Sequence, residues 1–202
     1  MGTMTLNSLR DLPKRCRGCV FWELSPECGA ALADQDPSLD KEAWVSSTLL
    51  QWGGCGQIAY VDNIAAGFVT YAPSYLVPRA NQFPSGPASA DAALLMTAHV
   101  APAFTGLGIG RLLVQAAATD LSRRGIRALE TFGDNRNEAH ACVAPTDFFQ
   151  AVGFTTVAAD PHYPRLRLDL SAVGGWHEAA GAIDITIERW LASISPVGAG
   201  SF

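Results

Sequence analysis

The sequence predicts a single α/β domain, and three observations carry that reading. A strand, a glycine-rich turn and a helix follow one another directly between Asp91 and Gly125. Two strand-length runs, Gly56 to Val61 and Ile64 to Tyr71, flank Asp62-Asn63, a two-residue hairpin signal. The chain has 202 residues, 49% hydrophobic and 16% charged, which is enough for one sizeable core and too apolar for a disordered chain.

Taken in order, Met1 to Pro13 reads as a ragged start. Cys16 to Leu24 is rich in β-formers and stops before Pro26, so a first strand is expected there. Pro37 and Ser38 open a helix over Ser38 to Trp52, and Gly53-Gly54 ends it. The hairpin follows. Ala72 to Ala90 carries four prolines with Ser, Gly and Asn, and is expected to be a long surface loop, either a lid or substrate-contacting segment or an inert insertion. Ala92 to Val100 suits a strand buried on both faces, ended by Pro102. From Ile109 the apolar residues Leu112, Leu113, Ala116, Ala117 and Leu121 recur at helical spacing, and Gly125 closes that helix. Arg127 to Phe132 is a fifth strand, Pro145 to Val152 a short helix, and Phe154 to Ala158 and Leu166 to Leu170 two closing strands. A final helix is expected over roughly Trp176 to Ala192. These elements divide the chain into an N-terminal extension (1–14), the domain (15–171) and a C-terminal helix and tail (172–202).

The formal net charge of −5 argues against a nucleic-acid partner held by a basic surface and is compatible with a cationic substrate such as an amine. No apolar run approaches the roughly 18 residues of a membrane span, and Met1 to Arg10 lacks a secretory h-region, so a cytoplasmic protein with no membrane partner is expected. Five cysteines form no regular framework, which suits a reducing compartment. Cys16 and Cys19 have C-x-x-C spacing, but a structural zinc needs two more ligands and only Cys28 is near; no metal is expected.

The turn is the informative part. Gly106, Gly108 and Gly110 alternate where the helix begins, so successive backbone N–H groups can face one concavity at the positive end of the helix dipole. That is an anion site, suited to a phosphate or pyrophosphate. A dinucleotide fingerprint would put its third glycine at Arg111, and a P-loop needs a closing Gly-Lys-Ser/Thr; neither is present.

The run T-G-L-G-I-G-R after V-A-P-A-F resembles motif A of the GNAT N-acetyltransferases, Q/R-x-x-G-x-G/A, with Thr105 where that family usually has Gln or Arg. The segment FFQAVGF resembles motif B, with Phe149 at the position usually held by tyrosine. The resemblance covers most of Cys16 to Leu170 and implies a mixed central β-sheet flanked by helices. It also implies acetyl-coenzyme A as co-substrate, its pyrophosphate held by Thr105, Gly106, Leu107, Gly108, Ile109, Gly110 and Arg111. Backbone N–H groups over Ala98, His99 and Val100, with Val100 foremost, would polarise the thioester carbonyl. The implied partner is an amine-bearing acceptor, a protein or a small molecule, and a homodimer is also admitted.

Acetyl transfer needs an uncharged amine. A lysine with pKa near 10.4 is neutral in only about 1 in 2,500 molecules at pH 7, equivalent to about 4.6 kcal/mol, so a base or a water chain matters. Glu130, in LETFGDN, matches the glutamate that N-terminal alanine acetyltransferases of the family carry in L-E-x-x-x-x-N, and partial burial would raise its pKa. The alternative is a strand glutamate in water or in an ion pair. His99 is the second candidate base, against a role in packing or in lining the cofactor with its backbone. Phe149 cannot protonate the leaving thiolate, so water, Tyr163 or Cys142 would substitute, or no acid is needed. The competing readings are a non-catalytic acyl-coenzyme A sensor and a different nucleotide-binding enzyme.

Overall fold

The computed structural model describes residues 1–31, 36–136 and 142–171. Among the described residues seven strands form one sheet: β1 (Gly2–Thr3), β2 (Gly56–Val61), β3 (Ile64–Pro73), β4 (Ala92–Val100), β5 (Ala128–Phe132), β6 (Thr155–Ala158) and β7 (Arg165–Asp169), in the spatial order β1-β2-β3-β4-β5-β7-β6. Only β4 and β5 run parallel; every other neighbouring pair is antiparallel. The helices are α1 (Lys14–Arg17), α2 (Pro26–Ala31), α3 (Pro37–Trp52), α4 (Ile109–Arg123) and α5 (Thr146–Ala151).

Local chemistry explains most of these boundaries. The β2–β3 turn places Asp62 at φ 48° and Asn63 at φ 62°, the paired left-handed conformation of a tight hairpin. Asp36 caps α3 by accepting from the Ser38 N–H at 3.0 Å, with Pro37 in the first turn, and Gly53 ends the helix at φ 82°. The stripe that α4 buries is Ile109, Leu113, Val114, Ala117, Ala118 and Leu121. Leu112 and Ala116, expected on that face, lie at its margin and are half-buried.

Three expectations are corrected. Cys16 to Leu24 forms no strand: Lys14 to Arg17 make one helical turn, Gly18 caps it, and the segment to Ser25 continues in turns. Its aromatic residues are there for tertiary packing, with Trp22 1% exposed and stacked on Phe83 at 5.2 Å. The edge position beside β2 belongs instead to Gly2–Thr3, and Met4, Leu9 and Leu12 are buried, so the start of the chain is part of the core. The segment after β3 is not an open loop. It winds through short 3-10 turns, Ser74–Leu76 and Pro78–Gln82, and buries Val77, Ala80 and Phe83. The helix expected near residues 176–192 lies outside the described residues.

The sheet separates two apolar layers. Ala93, Leu95 and Leu129 face α4 and α5, whereas Leu94, Met96 and Phe132 alternate with them and face Trp22 and Phe83. The pairing of β3 with β4 slips between Thr70 and Tyr71, which face Thr97 and Leu95, so Met96 is an extra residue in β4. Pairing of β4 with β5 stops at Leu94 and Glu130, although β4 runs on to Val100. The Thr131 hydroxyl still donates to the Leu95 carbonyl at 2.9 Å, and a wedge opens between the two parallel strands beyond that contact.

Candidate functional site

A cavity of about 400 Å³ lies on the α4 side of this wedge. Its walls come from Ala98, His99 and Val100 of β4, from Thr105, Gly106 and Gly108 of the turn, and from Ile109, Gly110 and Arg111 of α4, with Phe148 and Val152 opposite. The structure thus brings together every residue expected at a cofactor site except Leu107, which packs against the core. Gly106 sits at φ 82° and Gly108 at φ 80°, and nothing lies within 4 Å of where a Cβ on Gly106 would stand. Gly108 is the N-cap of α4 and offers no side-chain cap, so the first N–H groups of the helix remain available to an anion. Gly110 serves packing: a Cβ there would come within 2.8 Å of the Phe148 ring. The Arg111 side chain turns away from the turn and donates to the Ala151 carbonyl at 2.7 Å, tying α4 to α5.

A second cavity of about 510 Å³ lies on the other face, lined by Phe21, Arg79, Phe83, Cys142, Asp160 and Tyr163 among others. Its floor is aromatic: Phe83 stacks on Phe132 at 4.3 Å, and Tyr163 meets Phe83 edge-on at 5.1 Å. The Arg79 guanidinium lies over the Phe21 ring at 4.4 Å. Asp160 is fixed at the opposite wall by N–H donors of His162 and Tyr163, which hold its carboxyl below the usual range. Arg136 donates to the Tyr163 hydroxyl. The proline-rich segment, expected either as a substrate-contacting loop or as an inert insertion, supplies Arg79 and Phe83 to this cavity. The aromatic pair Phe21-Trp22, in the stretch read as a strand, and Phe83 in the proline-rich loop were its visible traces.

The candidate acid and base residues separate. His99 is half-buried at the wedge, with its ring 5.6 Å from Phe68; burial and the Arg15 guanidinium both push its pKa below 6.5. Glu130 has no exposure and lines neither cavity. Its carboxylate accepts from the Ser89 N–H at 2.9 Å, Arg165 at 2.6 Å and Arg167 at 3.0 Å. Burial pushes its pKa up, but these donors outweigh it and the group lies below its ordinary value, the reverse of the shift expected for a base. Phe149 is 1% exposed, packed against Phe148 and Phe154 within the α4-side core and outside both cavities. Cys142 and Tyr163 line the second cavity.

Among the described residues no cluster of metal-ligating side chains occurs, and no helix is long and apolar enough to cross a membrane. No curated protein matches the sequence. Solved structures do match its fold. PaiA N-acetyltransferase from Thermoplasma acidophilum, in complex with coenzyme A, is 16% identical with a TM-score of 0.55, covering 83% of this chain and 96% of that one. An N-acetyltransferase from Staphylococcus aureus Mu50 is 16% identical with a TM-score of 0.54, covering 84% and 96%. Residues 10–167 match the sequence profile of the Acetyltransferase (GNAT) family, and with the wedge and the glycine turn in place the chain belongs to that family.

Proposed function

We infer that the protein transfers the acetyl group of acetyl-coenzyme A to a primary amine, with both substrates bound at once and the amine attacking the thioester directly. The observation that carries this reading is the cavity at the wedge between β4 and β5, where the glycine turn meets the end of β4, with a second cavity on the other face of the sheet. A diphosphate suits the turn at Gly106 and Gly108, where α4 offers uncapped N–H groups and no Cβ intrudes. The apolar walls at Val100, Phe148 and Val152 suit the pantetheine arm. Backbone N–H groups over Ala98 to Val100 that point to the side of β4 no longer paired with β5 are the donors for the oxyanion that develops as the amine adds.

His99 takes the amine's proton. Its lowered pKa leaves it neutral near pH 7, so it can accept a proton directly or through water. Glu130 is a structural anchor in this reading: it joins β5 to β7 and to Ser89 at the end of the proline-rich segment. The second cavity receives the acceptor. Aromatic walls at Phe21, Phe83 and Tyr163 fit the stem of an amine, as in a lysine side chain, a chain N-terminus or a small amine.

The buried Phe149 favours one alternative, a domain that binds acyl-coenzyme A without turnover. Release of free thiol from acetyl-coenzyme A, measured across a panel of small amines and lysine peptides, separates the two. Turnover with any acceptor supports the transferase, and cofactor binding without turnover on the whole panel supports the sensor.

A further inference from the structure

The cysteine pair suggested by sequence spacing, Cys16 and Cys19, is not the pair that the fold makes. The Cys19 sulfur lies 3.3 Å from the sulfur of Cys142, 123 positions away. Both are partly exposed, and Cys142 lines the second cavity, so a small reagent can reach them. Cys16 and Cys55 are buried. The backbone beside the pair is fixed from two sides. Trp22 donates through Nε1 to the Cys142 carbonyl at 2.8 Å, and the buried Glu23 is ion-paired with Lys41 of α3.

We propose that Cys19 and Cys142 are a redox-active dithiol at the rim of the second cavity, converted by a hydroperoxide to a disulfide and restored by a dithiol reductant. The Cys19 thiolate attacks the terminal peroxide oxygen, forming a sulfenic acid and releasing hydroxide from hydrogen peroxide or an alkoxide from an organic hydroperoxide. Cys142 then attacks the Cys19 sulfur, forming the S–S bond; the hydroxyl leaves with the Cys142 proton as water. The two sulfurs lose two electrons together, and the peroxide gains them.

Geometry and charge favour both steps. A disulfide of about 2.05 Å requires the sulfurs to close by only about 1.3 Å from their present contact. The hydrogen bond from Cys142 is the largest influence on Cys19; burial opposes it and the Phe21 N–H adds to it, and together they lower the Cys19 pKa to about 6. Cys142 is pushed upward by the same contact, so the pair holds one thiolate and one thiol near neutrality, the combination that attack followed by resolution requires. Glu23 and Lys41 are the nearby charges, and they act on Cys19 in opposite directions. Cys142 lies in the cavity wall and Phe21, two residues after Cys19, lines it as well, so oxidation would tie these two wall segments together.

The test uses the full chain without acetyl-coenzyme A, so its outcome does not depend on the transferase reading. After stoichiometric hydrogen peroxide and alkylation, peptide mapping without reductant should recover a Cys19–Cys142 cross-link that has lost two hydrogens and that dithiothreitol reverses. C142A should instead accumulate a Cys19 sulfenic acid trapped by dimedone, and should lose the fast iodoacetamide labelling of Cys19 at pH 7 by roughly 10-fold as its thiolate loses its donor. A Cys16–Cys19 cross-link, or oxidation of Cys28 ahead of Cys19, would overturn the proposal. So would unchanged labelling of Cys19 in C142A. If the second cavity also receives the acceptor, the oxidised enzyme should show a raised acceptor KM that dithiothreitol restores.

Discussion

Arg165 on β7 donates to the Glu130 carboxylate of β5 at 2.6 Å, and the same guanidinium donates through Nε to the Ser85 carbonyl at 2.9 Å. One side chain thus joins two strands to the segment that lines the second cavity. Glu130 is fully buried, and two arginines and the Ser89 N–H converge on it. Removing the carboxylate takes the counter-charge from the partly buried Arg165 beside an apolar layer, while Arg167 keeps its pair with Asp91. Glu130→Gln should therefore destabilise by on the order of 3 kcal/mol, lowering Tm by roughly 6–12 °C. The pH dependence has a definite sign. The folded pKa lies below the ordinary value, so this contribution is complete above the unfolded pKa of about 4.3 and is lost as pH falls through the folded pKa. Wild type should lose stability faster than Glu130→Gln below about pH 4. Measured per folded molecule, the rate change should not vary with pH, whereas a base role would make it shrink as pH rises.

At the turn, charge and shape can be separated. Gly108 has φ 80°, a conformation that Asn and Asp tolerate better than other side chains, and both are good N-caps. Gly108→Asn adds bulk alone, whereas Gly108→Asp adds a negative charge facing a bound diphosphate. At a separation of about 5 Å and an effective dielectric of about 20, that repulsion is roughly 3 kcal/mol, or about 100-fold in affinity. Calorimetric titration with coenzyme A should find the Asp variant weaker than the Asn variant by about that factor, with the two circular dichroism spectra alike. Equal affinities would remove the turn from the diphosphate site.

Local signals account for what was legible in the sequence. The hairpin at Asp62-Asn63, the capped helix α3 and the strand-turn-helix from Ala92 to Arg123 depend on residues close in sequence, and each stands where propensity and turn chemistry place it. The first cavity was legible for the same reason, since its β4, turn and α4 walls fall within fourteen consecutive residues, Ala98 to Arg111. The second cavity was not. Phe21, Arg79, Cys142 and Tyr163 converge only through the fold, and no period in the sequence relates them. The β-rich stretch Cys16 to Leu24 misled because tertiary stacking of Trp22 on Phe83 overrode its propensity. Glu130 misled more instructively: its partners, Arg165 and Arg167, lie 35 and 37 positions away on a strand whose register decides what the carboxylate meets.

Restoring the family's tyrosine should gain nothing here. Phe149 is 1% exposed, with its ring 5.1 Å from Phe148 and 5.4 Å from Phe154, and it lines neither cavity. A hydroxyl added at this position enters an apolar layer without a partner, at a cost of about 1–3 kcal/mol. Phe149→Tyr should lower Tm by roughly 2–10 °C and leave the rate of thiol release per folded molecule unchanged. A rise in turnover would mean that the ring swings into the first cavity during catalysis.

His99 provides the sharpest test of the proposed chemistry. Its pKa is held below 6.5 by burial and by Arg15, so as a base it is ready at neutral pH and fails only on the acid side. The wild-type pH profile of kcat/KM should show an acidic limb below pH 6.5 that reports this group in the free enzyme. His99→Gln keeps a polar side chain of similar reach but cannot take up the proton. Turnover should fall roughly 10²-fold near pH 7 while acetyl-coenzyme A affinity stays nearly unchanged, because the proposed cofactor contact at this residue is through its backbone. The acidic limb should vanish, and the deficit should narrow toward the acceptor's own pKa, where the amine arrives already neutral. Packing predicts another pattern: the ring lies 5.6 Å from Phe68, so a structural residue would lose Tm and keep the limb. Arg15→Gln gives an independent check, since removing the guanidinium relieves one of the two influences on His99 and should move the acidic limb upward without abolishing it. A limb that stays in place in Arg15→Gln and survives in His99→Gln would assign the proton to water alone.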